Sequence, residues 1–253
     1  MSDSATGAHI AAGATGDSAF EPSWKEKNLK IAFLCSGGGG NLRFMAQAIR
    51  MGWIGDAEIC AVLSDRECAA NSFARSRGID TEVIDFSATA QTAVLAKLRN
   101  IDADVIVTTV HKILVSEVVR AFSGKLVNLH YSLLPAFAAE IGDRPVRRAL
   151  DYGAKFVGIT VHLVDENVDT GWPIIQAVTA IQPGSTTQAL MNTLFRSGCV
   201  GLLNAIASFL PDVQLGQEGA RSSTMLDGQA VHFSPAVVIP ATLDHEQGWA
   251  FLK

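Results

Sequence analysis

The chain has 253 residues, of which 48% are apolar and 18% charged, with a formal net charge of −5. That length allows one large α/β domain or a domain with a small appendage, and the apolar share supplies a substantial core. The acidic balance argues against nucleic acid as a partner, because broad binding needs a basic face, but it leaves room for a local basic pocket that takes a small anion.

Residues 1–27 are expected to form a flexible tail. Met1–Glu21 is rich in Ala, Gly, Ser and Thr and lacks a basic stretch ahead of an apolar one, so it does not read as a secretory signal. A catalytic domain is expected over 28–210. Lys30–Cys35 is an apolar run that stops at Ser36 and four glycines, which predicts a buried strand ending in a tight loop. Leu42, Met45, Ala46 and Ile49 follow at helical spacing. The alternation continues. Strands are predicted over Glu58–Leu63, Thr81–Ile84, Asp104–Val107 and Leu126–Leu129, with helices over Ala69–Arg77, Thr92–Arg99 and Ser116–Phe122. Strands and helices in this order predict an α/β fold: a doubly wound, mostly parallel sheet with ligands at the carboxyl ends of its strands.

Beyond His130 a long connection leads to a helix over Pro145–Tyr152, with Pro in its first turn. Phe156–Val164 and Pro173–Ala180 read as strands, and Thr186–Leu210 as a long amphipathic helix. Residues 211–253 read as a short C-terminal extension in which Leu226–Gln229 forms a hairpin turn, since Asp-Gly tolerates positive φ. Nowhere do about 18 apolar residues run together, so no membrane partner is expected. Cys35, Cys60, Cys68 and Cys199 lack CxxC or Cys/His ligand spacing. They read as reduced thiols of a cytoplasmic protein, and no metal is expected.

Three features carry chemistry. The first is Gly37–Gly40 between a strand and a helix, where backbone N–H groups approach an anion at the positive helix end. A dinucleotide fingerprint fails there, because its last glycine would fall on Leu42 or Arg43, and no P-loop Gly-Lys-Ser/Thr follows. A tight turn without a ligand is the competing reading. The second is Asn128-Leu129-His130 at a strand end. Residues two apart share a face, so an amide donor and a proton carrier project together, though taken alone such a histidine is more often a hydrogen-bonded structural residue. The third is the acidic segment Asp165–Gly171, which is either a solvated turn or the source of a carboxylate, Asp169, that orients a histidine.

Together these segments resemble the 10-formyltetrahydrofolate-dependent formyltransferases, whose best-known members act on glycinamide ribonucleotide and methionyl-tRNA. The resemblance rests on Ser36–Asn41, on Asn128-Leu129-His130-Tyr131-Ser132-Leu133-Leu134-Pro135, and on Val161–Val164 followed by Asp169-Thr170-Gly171. It runs from about Lys30 to Leu210 and implies a Rossmann-like formyltransferase fold. It also implies N10-formyltetrahydrofolate as co-substrate and Asn128, His130 and Asp169 as the catalytic set. By resemblance an amine attacks the formyl carbon, Asn128 and a protonated His130 stabilise the oxyanion, and Asp169 supports the charged ring. The folate site is implied at His111, Lys112, Ile113 and Leu114 together with Val164 and Asp165. Here Lys112 stands where the family commonly has Arg, and His111 where it has an apolar residue. The acceptor site is implied at Gly37, Gly38, Gly39, Gly40 and Asn41.

The acceptor itself is expected to be a small-molecule amine, in an assembly that includes a homodimer among its options. In the purine enzyme the glycine loop carries polar side chains, which Gly38 and Gly40 lack, and the late helix presents a carboxylate that Leu194–Gly198 lacks. Arg144, Arg147 and Arg148 are candidates to hold an acidic acceptor. An amino sugar nucleotide or a specialised-metabolite amine or hydroxylamine is therefore expected, with phosphoribosylglycinamide as the alternative. A nucleotide-binding oxidoreductase and a catalytically silent folate- or metabolite-binding relative are the competing classes.

Overall fold

The structure, a computed structural model, describes residues 28–252; the N-terminal tail expected over 1–27 lies outside the described residues. Strands β1 (Leu29–Cys35), β2 (Ala57–Ser64), β3 (Asp80–Val83), β4 (Val105–Thr109) and β5 (Leu126–His130) alternate with helices α1 (Gly40–Arg50), α2 (Ala69–Ser76), α3 (Gln91–Ile101) and α4 (Ser116–Ala121). Helix α5 (Arg144–Tyr152), β6 (Phe156–Leu163), β7 (Pro173–Ala180) and α6 (Thr187–Ala207) come next. Strands β8 (Arg221–Leu226) and β9 (Gln229–Val237) and two 3-10 turns, Ala241–Asp244 and Glu246–Leu252, complete the order.

The nine strands form one sheet in the order β3-β2-β1-β4-β5-β6-β7-β9-β8. The pairings from β3 through β5 are parallel and those from β5 through β8 antiparallel. The doubly wound parallel half is the one anticipated, but the antiparallel half is larger than "mostly parallel" implies. Connection length explains much of the difference. Residues 164–172 join β6 to β7, and Asp227-Gly228 alone joins β8 to β9, whereas a parallel return needs a crossover of a dozen residues or more. At the β8–β9 turn φ is 49° at Asp227 and 72° at Gly228, the double positive φ of a tight hairpin.

Apolar side chains cover both faces. On one face α1, α2, α6 and the C-terminal segment pack Phe33, Phe44, Val161 and Leu203 into a core. On the other, α3 and α4 pack over Leu34, Ile106 and Leu126. Residues 211–252 continue the sheet: β9 pairs with β7, and buried Trp249 stacks on Phe44 of α1 at 5.8 Å. Strand order reverses between β1 and β4, so the loops after these strands open a crevice at their carboxyl ends.

Candidate active site

A cavity of about 320 Å³ lies beside this crevice. Strand β5 delivers Asn128 and His130 to it from one face, as period-two geometry requires. Across the antiparallel pair, His162 of β6 stands directly opposite Asn128. The loop after β6 brings in Asp169. All four line the cavity, so the three predicted catalytic residues come together, with a second histidine among them.

The contacts are specific. The Asp169 carboxylate lies 3.4 Å from His130 Nδ1 and 3.7 Å from His162 Nε2. Its Oδ2 also accepts the Ala139 N–H at 2.8 Å. His130 Nε2 is 3.0 Å from the Phe137 carbonyl oxygen. An acceptor therefore lies near each nitrogen of His130. His162 is arranged the other way. Its Nδ1 lies 2.8 Å from its neighbour's carbonyl at Leu163, and its Nε2 lies 3.2 Å from the Asn128 amide nitrogen. Those partners suit a neutral ring that donates at Nδ1 and accepts at Nε2. Burial drives its pKa down, outweighing the opposing pull of the Leu163 carbonyl and Asp169.

Neighbouring strands fix this geometry. Thr160, opposite His130, donates its hydroxyl to the Ser132 carbonyl and accepts the Leu134 N–H. Gln176 of β7 donates to the Leu134 carbonyl. A Cβ at Gly158 would come within 2.5 Å of the Leu133 side chain, so the turn after His130 packs where only glycine leaves room. Asp169 itself adopts φ 55°, and a Cβ at Gly171 would lie 1.8 Å from the Leu163 carbonyl oxygen. The Asp-x-Gly spacing is thus a backbone requirement of the β6–β7 loop.

His111, Lys112, Ile113, Leu114, Val164 and Asp165 all line the cavity. Leu114 and Val119 are buried in its wall, while Ile113 is exposed at its rim. Sequence reasoning missed Gln91, which holds this loop from the first turn of α3. Its amide donates to the carbonyls of Phe86 and Ile113 and accepts the Val115 N–H at 2.8 Å. A buried Gln in an otherwise ordinary helix start carries little signal by itself. His162, although part of a quoted motif, also went unassigned.

The glycine loop behaves differently. Of its residues only Asn41 lines the cavity, and Gly37–Gly40 do not. Gly39 is the left-handed residue before α1, with φ 67°, and Gly40 lies where a Cβ would meet the Phe195 ring at 2.8 Å. Gly37 and Gly38 open onto free space. Arg147 and Arg148, considered above for an acidic acceptor, pair with Asp143 and with Glu140, the latter a residue that lines the cavity. Among the described residues no cluster of His, Cys, Asp and Glu assembles to hold a metal ion.

Residues 29–206 match the family described as Formyl transferase. The chain belongs to the formyl transferase family. A chloroplastic phosphoribosylglycinamide formyltransferase from Vigna unguiculata is 30% identical over 169 residues, covering 64% of this chain and 54% of the plant protein. A formyltetrahydrofolate deformylase from Escherichia coli is 31% identical over 141 residues, covering 54% of this chain and 49% of that protein. The chain thus spans about half the length of each of these two relatives. Glycinamide ribonucleotide transformylase 1 from Symbiobacterium toebii superposes with a TM-score of 0.67 at 31% identity, covering 72% of this chain and 87% of that chain. No helix of the described residues is long and apolar enough to cross a membrane.

Proposed function

We propose that this formyl transferase moves the formyl group of N10-formyltetrahydrofolate to the amine of phosphoribosylglycinamide. The observation that carries formyl transfer is the convergence of Asn128, His130 and Asp169 on one cavity. The acceptor reading draws its support from the relatives, two of which are named for action on this compound.

The cavity walls suit the folate. Leu114, Val119 and Val164 offer an apolar slot for a flat ring system, and Lys112 at the rim supplies a cation for a carboxylate tail. Asn128 keeps one amide hydrogen beyond its contact with His162 and directs it to the oxygen on which negative charge develops. His130, flanked by Asp169, is the second donor to the same region and acts there as the protonated ring. Its Nε2 hydrogen is engaged by Phe137, so donation there requires sharing that hydrogen or shifting the segment around Phe137. Asp169 supports the charged ring, accepts the proton that the amine releases after attack, and returns it to N10 as the bond between the formyl carbon and N10 breaks and tetrahydrofolate leaves. The bare glycine loop still leads into the first turn of α1, whose N–H groups stand at the positive helix end that favours a phosphate.

A second acceptor class, an amino sugar nucleotide or a specialised amine or hydroxylamine, is favoured by the absence of polar side chains at Gly38 and Gly40 and of a carboxylate near Gly198. One assay separates the readings: release of tetrahydrofolate from the formyl donor, with phosphoribosylglycinamide, with an amine panel, and with no acceptor. Robust turnover with phosphoribosylglycinamide is the expected result. Turnover confined to the panel overturns the acceptor assignment, and equal release with water alone overturns amine transfer in favour of hydrolysis.

A further inference from the structure

A second cavity, of about 270 Å³, lies between α1, the end of α2 and the last 3-10 turn, and shares no lining residue with the first. Three arginines, Arg43, Arg50 and Arg77, line it with Gln47, Phe73 and Phe251, and no acidic residue does. The guanidinium groups of Arg43 and Arg77 lie 5.4 and 5.2 Å from the centre of the same Phe73 ring. Arg50 is steadied by two contacts, at 3.1 and 2.7 Å, to the Gln47 side-chain oxygen.

What distinguishes these arginines is their lack of counter-charge. Elsewhere on the surface Arg75 pairs with Glu67, Arg147 with Asp143 and Arg196 with Glu246. Among the described residues Arg43, Arg50 and Arg77 meet no carboxylate within ion-pair distance. Arg43 Nε is buried without a hydrogen-bond partner. A buried N–H left without an acceptor is destabilising. Like charges drawn into one concave site repel unless an anion joins them. In a chain of net charge −5 such a cluster is a local reversal of sign.

We propose that this cavity binds a small phosphate-bearing molecule through a compact, multiply charged group such as a pyrophosphate or phosphate ester. Guanidinium forks match phosphate oxygens in pairs, and three of them around one cavity favour a multivalent anion over a single carboxylate.

The test is calorimetric titration of the full chain with inorganic pyrophosphate at fixed ionic strength. The variants are a triple Arg43→Gln, Arg50→Gln, Arg77→Gln protein and a control triple, Arg75→Gln, Arg120→Gln, Arg221→Gln, with the same change in net charge. The first triple should weaken binding by at least about tenfold, the weight of one lost charge-assisted hydrogen bond, while formyl transfer without pyrophosphate is retained. The control triple should bind as the wild type does. The single variant Arg77→Gln, altering an exposed side chain, reports the same loss in smaller measure if the triple fails to fold. No binding by the wild type, equal binding by the first triple, or equal weakening in the control each overturns the site. A single-stranded oligonucleotide that binds more tightly than pyrophosphate overturns the small-molecule assignment.

Discussion

The two histidines of the site have opposite surroundings. His130 faces acceptors at both nitrogens, Phe137 at 3.0 Å and Asp169 at 3.4 Å, while His162 accepts from Asn128 and is depressed by burial. Asp169→Asn removes the charge that supports His130 while keeping the shape and the bond from Ala139. Steady-state kinetics should show kcat reduced by about 10²–10⁴, with KM for both substrates changed far less. A loss confined to KM would make Asp169 a binding residue instead. His162 yields a stability prediction. Its folded pKa lies below the ordinary value of 6.5, so the unfolded chain binds the proton more readily. Its contribution is complete above pH 6.5 and is lost as pH falls toward the folded value, at up to about 1.4 kcal/mol per pH unit. Urea titrations from pH 7.5 to 5 should show that slope in the wild type and a shallower one in His162→Gln; identical slopes would assign the loss to other groups. Asn128 and His130 were legible because period-two geometry places them on one edge. Asp169 was legible only through its motif. The role of His162 was not, because it stands in a strand buried along almost its whole length and only the β5–β6 register sets it opposite Asn128.

The β6–β7 hairpin shows what the chain encodes at the level of an element. Its loop must bring Asp169 back over β5, and it does so with φ 55° at Asp169 and a glycine pressed against the Leu163 carbonyl. Gly171→Ala should therefore destabilise the fold by at least about 1–3 kcal/mol, since the obstruction is backbone and cannot swing aside. Activity at a temperature where the variant is folded should also fall, because Asp169 moves with the loop. Gly37→Ala is the contrast: a Cβ there meets nothing within 4 Å, and thermal melts should place its effect within about 0.5 kcal/mol. The direction of β6 and β7 was not readable from their composition. Phe156–Leu163 is buried along almost its whole length, and a strand covered on both faces looks the same whichever way it runs. The parallel half was readable because each of its strands is followed by a helical repeat long enough for a crossover.

At the scale of the molecule, the sheet does not stop where the family match ends at residue 206. Strand β9 alternates Val231, Phe233 and Val237, all buried, with exposed His232 and Ser234, and it pairs with β7. That alternation was in the sequence but short, and it follows a polar stretch over 211–220, so the segment read as an extension around its Asp-Gly turn. The chain then returns across the face of α1. There Trp249 is buried, donates its indole N–H to the Leu243 carbonyl at 3.0 Å, stacks on Phe44, and has the Arg196 guanidinium 5.2 Å from its ring. One side chain thus fastens the last turn to α1 and α6, the helices that back the glycine loop and β5. Trp249→Ala removes that packing, and deletion of a buried aromatic costs about 3–5 kcal/mol, which chemical denaturation should detect. Phe44, Leu243 and Arg196, which Trp249 touches, do not line the catalytic cavity, so kcat measured on the folded fraction should stay at the wild-type value. A fall in kcat without loss of stability would mean that the C-terminal turn positions the site; a fall in stability alone fits a fastening role.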